Sequence, residues 1–455
     1  MYWRNTMTEG PAGLVRRLLE GVAPGNLILP SAPIYDSARL VYNRMHDKRP
    51  AAVVRTLDVR TLRIAIAAAI ANGSSIAVRG GGHHIGGFST IDDGLLLDFS
   101  TFRGVEYDPG THTVRIEPGA RLGDLDRALA AVGRCVPAGT VSDTGVGGLT
   151  LGGGIGWLVA SGGLTCDYLV SADILLADGA LITASETEHT DLFRALRGGG
   201  VGAFGVVTEF TFRTIALPTI VTASVAMPLE SSAATIRRLQ GLHRGNGLTR
   251  ATVAPVLSRA GLSVDICVRL PDDGEIRVLE EELQLMPDCM RLTGYVEWQS
   301  NFDDAFFPER RGYWKSVHFD ESDVDLDQLS DAIESAPSDG CTAMIEFYNT
   351  DTLQARAAGS AYPRRNSRIG VLLTARWDLP EDDDAHIAWA RRWARVLRQV
   401  GGATGYSNYS GTEDGGIRAG FDADTLDLFE GLERAYDPSG VFRNGHRGSI
   451  RGRCP

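Results

Sequence analysis

Three glycine blocks, at residues 80–87, 145–156 and 198–205, constrain this chain more than any other feature of its sequence. Glycine admits left-handed backbone and lets another backbone or a ligand come close. Clustered this densely between apolar runs, it points to loops closing around a ligand rather than to linkers. The first block follows residues 75–79 (Ser-Ile-Ala-Val-Arg), which read as a short buried strand, and runs through Gly80, Gly81 and Gly82 into His83 and His84. Successive glycines after a strand let backbone N–H groups face a pyrophosphate. The spacing is neither a GxGxxG opening a helix nor a GxxxxGK[ST], so neither a Rossmann loop nor a P-loop is indicated. A glycine loop alone is equally an ordinary strand-to-loop turn. The imidazole at its end is what makes it chemical, because it is placed to bind or react with whatever the loop holds.

Around the loops, short strands and helices alternate. Residues 57–73 read as a helix, with Asp58 as N-cap and Asn72-Gly73 as its stop. Strands are predicted over 95–99 and 114–117, a helix over 122–132, and a hairpin over 172–185 turning at Asp178-Gly179. After Thr214 the glycines thin out. Helices are predicted over 229–244, 275–286 and 324–335, and strands over 262–270, 342–348 and 369–377. A strand over 404–409 and a helix over 423–436 close the chain, and the arginine run at 391–398 reads as a solvated helix face. The 455 residues exceed one ordinary core. The expected fold is therefore α+β, with a second domain made of an antiparallel sheet covered by helices.

Charge and cysteines narrow the function. A net charge of -12 without a Lys/Arg run disfavours nucleic acid. Cys135, Cys166, Cys267, Cys289, Cys341 and Cys454 form no CxxC pair, and buried free thiols are expected. Adjacent His83 and His84 diverge and have no third ligand nearby, so no metal is expected. The first residues lack an apolar h-region, Met7 is an alternative start, and no apolar run approaches the length of a membrane helix. A cytoplasmic protein without membrane association is the expectation; its oligomeric state is not legible.

The run Arg79-Gly80-Gly81-Gly82-His83 resembles the flavinylation motif of berberine-bridge-enzyme-like oxidases, a branch of the vanillyl-alcohol-oxidase superfamily with a PCMH-type FAD-binding domain. The second block is similar to that family's second FAD loop, from Pro137 through Gly145, Gly147, Gly148, Gly152, Gly153 and Gly154 to Trp157. So are Gly163-Leu-Thr-Cys166-Asp167, the stretch from Arg197 through Phe204 and Gly205, the Tyr406-Ser-Asn408-Tyr409 segment, and the Tyr436-Asp437-Pro438 closing segment. The similarity runs from about residue 30 to 445, dense to 215 and patchy through the middle. It implies an FAD-binding part over 1–215, a substrate domain over 216–400, and a return segment over 401–455. It implies FAD bound covalently through His83, with Arg79, Gly80, Gly81, Gly82, Gly86, Gly145, Gly147, Gly148, Gly152, Gly153, Gly154, Gly205, Val207, Tyr406 and Asn408 around it.

The implied chemistry is hydride transfer from a secondary-metabolite-type alcohol, phenol or amine to flavin N5, with O2 as acceptor and peroxide as product. A flavin-containing drug-binding protein with little turnover, or a same-fold dehydrogenase using another acceptor, is the alternative. Glu346, an ionisable group on the otherwise apolar strand over 342–348, and Tyr409 are the two candidate bases. On a strand, Tyr406 and Asn408 share one face and Tyr409 points to the other. Trp157, Trp314 and Tyr348 are pocket or core aromatics. Relatives with two tethers carry Cys where this chain has Val141, so one tether is expected. Other departures from the family pattern are Ala203 in the third loop, residues 159–163 after Trp157, and Asn444-Gly-His446 at the end.

Overall fold

The structure, a computed structural model, describes residues 10–199, 204–270, 273–286, 288–307, 310–321, 324–411 and 420–442. Met7, Ala203, Asn444, His446 and Cys454 lie outside the described residues. The chain begins with a small sheet, ordered Leu27–Ile28, Ala52–Val54, Leu95–Asp98, Ile76–Arg79. Its last three strands are parallel. They are almost wholly buried, which is why they are written mainly in apolar residues. The helix Val59–Asn72 packs Leu62, Ala65, Ile66 and Ala69 against that sheet. Asp58 caps it by accepting from Arg60 N and Thr61 N, and Gly73, at φ 67°, closes it. Such a cap is worth about 1 kcal/mol.

A five-stranded antiparallel sheet follows, ordered Val105–Asp108, Thr113–Ile116, Val206–Arg213, Leu169–Leu175, Leu181–Ser185. The third unit is an eight-stranded antiparallel sheet, ordered Arg291–Thr293, Ile220–Met227, Gly261–Arg269, Ala251–Ser258, Cys341–Phe347, Ile369–Trp377, Arg311–Phe319, Ala403–Thr404. Helices Ser232–Arg244, Asp273–Leu283, Gln328–Glu334 and Asp383–Gln399 lie over it. The last presents Trp389, Trp393 and Leu397 to the core and leaves Arg391, Arg392 and Arg395 in solvent. The chain then returns to its first half. Helix Ala423–Tyr436 gives Phe429 and Leu432 to the core of the five-stranded sheet, and Val441 accepts a hydrogen bond from Ile76 N at 2.8 Å.

Two expectations fail here. The strand over 404–409 is only Ala403–Thr404, paired with Val317 and His318. Ser407–Tyr409 is a tight 3-10 turn, so alternation does not govern Tyr406, Asn408 and Tyr409. The helix over 324–335 starts only at Gln328, and Val324 and Leu326 are buried from the loop before it. Strands Ile220–Met227, Ala251–Ser258 and Arg311–Phe319 were not anticipated.

Candidate active site

The first two glycine blocks meet back to back. A Cβ on Gly81 would lie 2.3 Å from Gly145 N, and one on Gly145 would lie 2.4 Å from Gly81 N, so neither backbone admits a side chain. Together they wall a cavity of about 260 Å³. Gly80, Gly81, Gly82 and His83 line it from one side, Gly145, Gly147 and Gly148 from another, and Gly205, Val207, Tyr406, Asn408 and Tyr409 complete the wall. Gly148 sits on the short helix Val146–Gly152 and is exposed; a Cβ there would meet no protein atom within 4 Å. That cradle fits a flat cofactor resting on bare backbone, as FAD would.

Other glycines of the motif serve packing. Gly152 makes room for Asn408, Gly153 for Tyr362, Gly154 for Thr165, and Gly86 for the Phe88 ring. None of them, nor Arg79, lines the cavity. Arg79 instead donates to Asp98 Oδ1 at 3.0 Å and to the carbonyls of Leu40 and Ala38 at 2.8 and 2.5 Å. Asp98 is fully buried; burial raises its pKa, but the Arg79 hydrogen bond and charge hold it below its ordinary value. Arg79 thus anchors the strand from which the glycine loop departs.

His83 stacks on Tyr42, with ring centroids 4.4 Å apart and planes 17° from parallel. Its Nε2 lies 3.1 Å from Asp143 Oδ2, and Asp143 is also paired with Arg121. His84 lines the same cavity, and burial lowers its pKa to about 4, so it is neutral near pH 7. Val141 lines the cavity, whereas Cys135 and Cys166 do not; burial raises both thiols to about 12.

Beside the cavity stands Glu346. The register sets Glu346 opposite Gly370, and Gly370 opposite His318, so the three share one row and one sheet face. A Cβ on Gly370 would meet Tyr348 Oη at 2.7 Å and Glu346 Oε2 at 3.1 Å. Its absence lets the Tyr348 phenol donate to Glu346 Oε2 at 2.5 Å while its ring stacks on His318 at 5.4 Å. Tyr409 Oη lies 3.4 Å from Glu346 Oε1. Burial raises the Glu346 pKa to about 7, and the hydrogen bonds from Tyr348 and then Tyr409 pull it back down. Both phenols are pushed well above 10, by burial and then by the Glu346 charge. Burial, then Arg364, lowers His318 to about 3, so it backs Tyr348 as a neutral ring.

Glu346 opens into a chamber of about 30 Å³ beside the main cavity, the two sharing Tyr409, Met344 and Phe302 as walls. Glu346 is half-buried and lines this chamber, and desolvation is the first cause of its raised pKa. Trp314 lines the main cavity edge-on to Tyr409 at 6.0 Å, and its indole N–H has no partner among the described residues. Trp157 is buried against Trp298 and Phe302 and borders the chamber instead. The sequence reading assigned no part to Tyr42, Asp143, Arg121, Gly370 or His318. Alternation along strand Arg311–Phe319 would have put Trp314 and His318 on one face, had that strand been recognised.

Among the described residues no cluster of three His, Cys, Asp or Glu side chains forms a metal site, and no helix is long and apolar enough to cross a membrane.

Residues 50–185 match the model of a family described as an FAD binding domain. An uncharacterized FAD-linked oxidoreductase of Bacillus subtilis is 38% identical over 195 residues, which are 42% of this chain and 43% of that protein, so the match spans about two-fifths of the relative's length. The BBE-like 1 protein of Physcomitrella patens superposes with a TM-score of 0.83 at 22% identity, over 95% of this chain and 98% of its own. Xylooligosaccharide oxidase of Myceliophthora thermophila, in complex with xylobiose, gives a TM-score of 0.84 at 23% identity, again over 95% and 98%. At these identities the superpositions establish the fold alone, which is the α+β architecture with an antiparallel sheet that the sequence implied.

Proposed function

We propose that this chain, which carries an FAD binding domain in the fold of the berberine-bridge-enzyme-like proteins, is a flavoprotein oxidase acting on a flat, apolar alcohol, phenol or amine, with its FAD joined to His83. The observation that carries the reading is the Glu346 carboxyl, raised by desolvation to about 7 in a chamber that shares Tyr409, Met344 and Phe302 as walls with the glycine-walled cavity. FAD, when bound, supplies the acceptor for a hydride leaving a substrate carbon.

The rest is the work of this chain's own side chains. With a pKa near the working pH, Glu346 is able both to receive a proton and to release it. Tyr348 and Tyr409 donate to it, one to each of its two oxygens. A phenol with a strongly raised pKa does not lose its proton at neutral pH, which favours Glu346 over Tyr409 as the base. Trp314 closes the wall edge-on to Tyr409. Phe302, Phe306, Met344 and Leu372 line the cavity, and a wall of rings and aliphatic groups excludes water. An oligosaccharide would leave its hydroxyls unpaired against that wall, whereas an aromatic secondary metabolite would not. Val141 at the cavity wall, with Cys135 and Cys166 away from it, supports one tether rather than two.

The test is a panel of hydroxylated aromatic, alkaloid-like and sugar substrates mixed anaerobically with the purified protein. Bleaching of the flavin by members of the first two groups, followed by peroxide on admission of air, is expected. Bleaching by sugars alone would overturn the substrate class. Bleaching without peroxide would make the protein a dehydrogenase, and no bleaching by any compound would favour a binding protein.

A further inference from the structure

We propose that Asp143, fixed by Arg121, is the positioning residue that holds His83 ready for coupling to the cofactor and stabilises the imidazolium formed in that step. The inference rests on the covalent reading of His83 given above.

Two constraints act on the imidazole. Tyr42 fixes the plane of the ring by stacking, and is itself held by its N–H on Gly82 O at 3.1 Å and its hydroxyl on Phe306 O at 3.0 Å. Asp143 fixes the edge, through Nε2 at 3.1 Å. The loop that carries Asp143 is pinned by Leu122 N on Thr144 O at 2.9 Å and Gly123 N on Ser142 O at 2.8 Å. Arg121 bridges Gly145 with its backbone and meets Asp143 Oδ1 with its guanidinium. The other carboxylate oxygen is the one that faces His83. An adjacent guanidinium keeps a carboxylate ionised, so Asp143 acts as a fixed anion rather than as a proton acceptor.

That arrangement selects a tautomer. An anion at Nε2 places the proton there, and the lone pair sits on the other ring nitrogen, Nδ1, on the edge turned away from Asp143. In the coupling, a bond forms from Nδ1 to the flavin 8α-methyl carbon and one C–H bond of that methyl breaks, its electron pair passing to the isoalloxazine. The imidazole is a cation until its Nε2 proton leaves for solvent. That proton and the methyl's are balanced by two protons on the reduced ring, and dioxygen removes the electron pair and two protons as hydrogen peroxide. A carboxylate hydrogen-bonded to the imidazolium stabilises the charge-developing step, as a buried carboxylate behind a catalytic imidazole does, where its loss slows reaction by about 10⁴. All three side chains are partly solvated here, between 14% and 29% exposed, so a smaller effect, at least about tenfold, is expected.

The test uses the full-length protein and its Asp143→Asn variant, which keeps the shape and removes the charge. Each is incubated with added FAD in air, and samples taken over time are acid-precipitated to separate attached from released flavin. Equal total FAD binding with at least tenfold slower attachment in D143N is expected, together with partial recovery of the rate when formate is added to D143A. Attachment by D143N at the wild-type rate overturns the proposal. Should D143N bind no FAD, Arg121→Gln carries the test, with slow attachment expected and a wild-type rate overturning it. Release of all flavin from the wild type would instead remove the covalent reading on which the proposal stands.

Discussion

Replacing Glu346 by Gln should slow flavin reduction and, at the same time, stabilise the protein at alkaline pH. The rate effect follows from removing the base while keeping the shape, which costs about 10²–10⁴ in rate. The stability effect follows from burial. Glu346 has its pKa raised from 4.5 to about 7 in the folded chain. Between those values the folded state holds a proton that the unfolded state has lost, so stability falls as pH rises through that window. The full difference is about 3 kcal/mol once pH is above 7, an upper figure because the carboxyl keeps some surface on the chamber. Glutamine never ionises and escapes this loss. Urea melts of the two proteins should therefore coincide near pH 4.5 and diverge in favour of E346Q by pH 8. Anaerobic reduction of wild-type flavin should rise with pH through about 7, and that dependence should vanish in E346Q. A variant that reduces flavin at the wild-type rate, or that is no more stable than wild type at pH 8, would refute both the assigned role and the buried carboxyl.

Gly148→Leu should abolish FAD binding without lowering the stability of the flavin-free protein by more than about 0.5 kcal/mol, since Gly148 lines the cavity and a Cβ there would meet no protein atom within 4 Å; flavin content and thermal melts read both. Tyr348→Phe removes the closer of the two hydrogen bonds that lower the Glu346 pKa, so the pH profile of flavin reduction should move to higher pH. Tyr409→Phe should move it in the same direction and less, because its contact is 3.4 Å. Asp98→Ala strands the Arg79 guanidinium, and denaturant unfolding should show a loss of about 3–5 kcal/mol.

The glycine loops, the strand before His83 and the capped helix Val59–Asn72 were legible because each is a local signal. A Gly run, an Asx cap and a continuous apolar strand carry their structure within a few residues of sequence. The division of labour inside the glycine blocks was not legible. Gly148 faces the cavity while Gly152 faces Asn408, a residue more than 250 positions later, and nothing in the local pattern separates them. The partners of Arg79 are not legible for the same reason, being carbonyls and a carboxylate brought in by the fold. Glu346 stood out as a lone charge on an apolar strand. The Tyr348, Gly370 and His318 that surround it depend on the register of two further strands, one of them unrecognised. Tyr406 to Asn408 were read with the wrong backbone, yet they still converge, with Asn408 Nδ2 donating to Tyr406 Oη at 2.6 Å through the turn.

The central claim is that the cavity holds FAD on His83. Mass spectrometry of the denatured protein, followed by peptide mapping, tests it most directly. One flavin adduct, on the peptide containing His83 and lost in His83→Ala, is the expected result. An unmodified His83 peptide, or an adduct on Cys135 or Cys166, would contradict it.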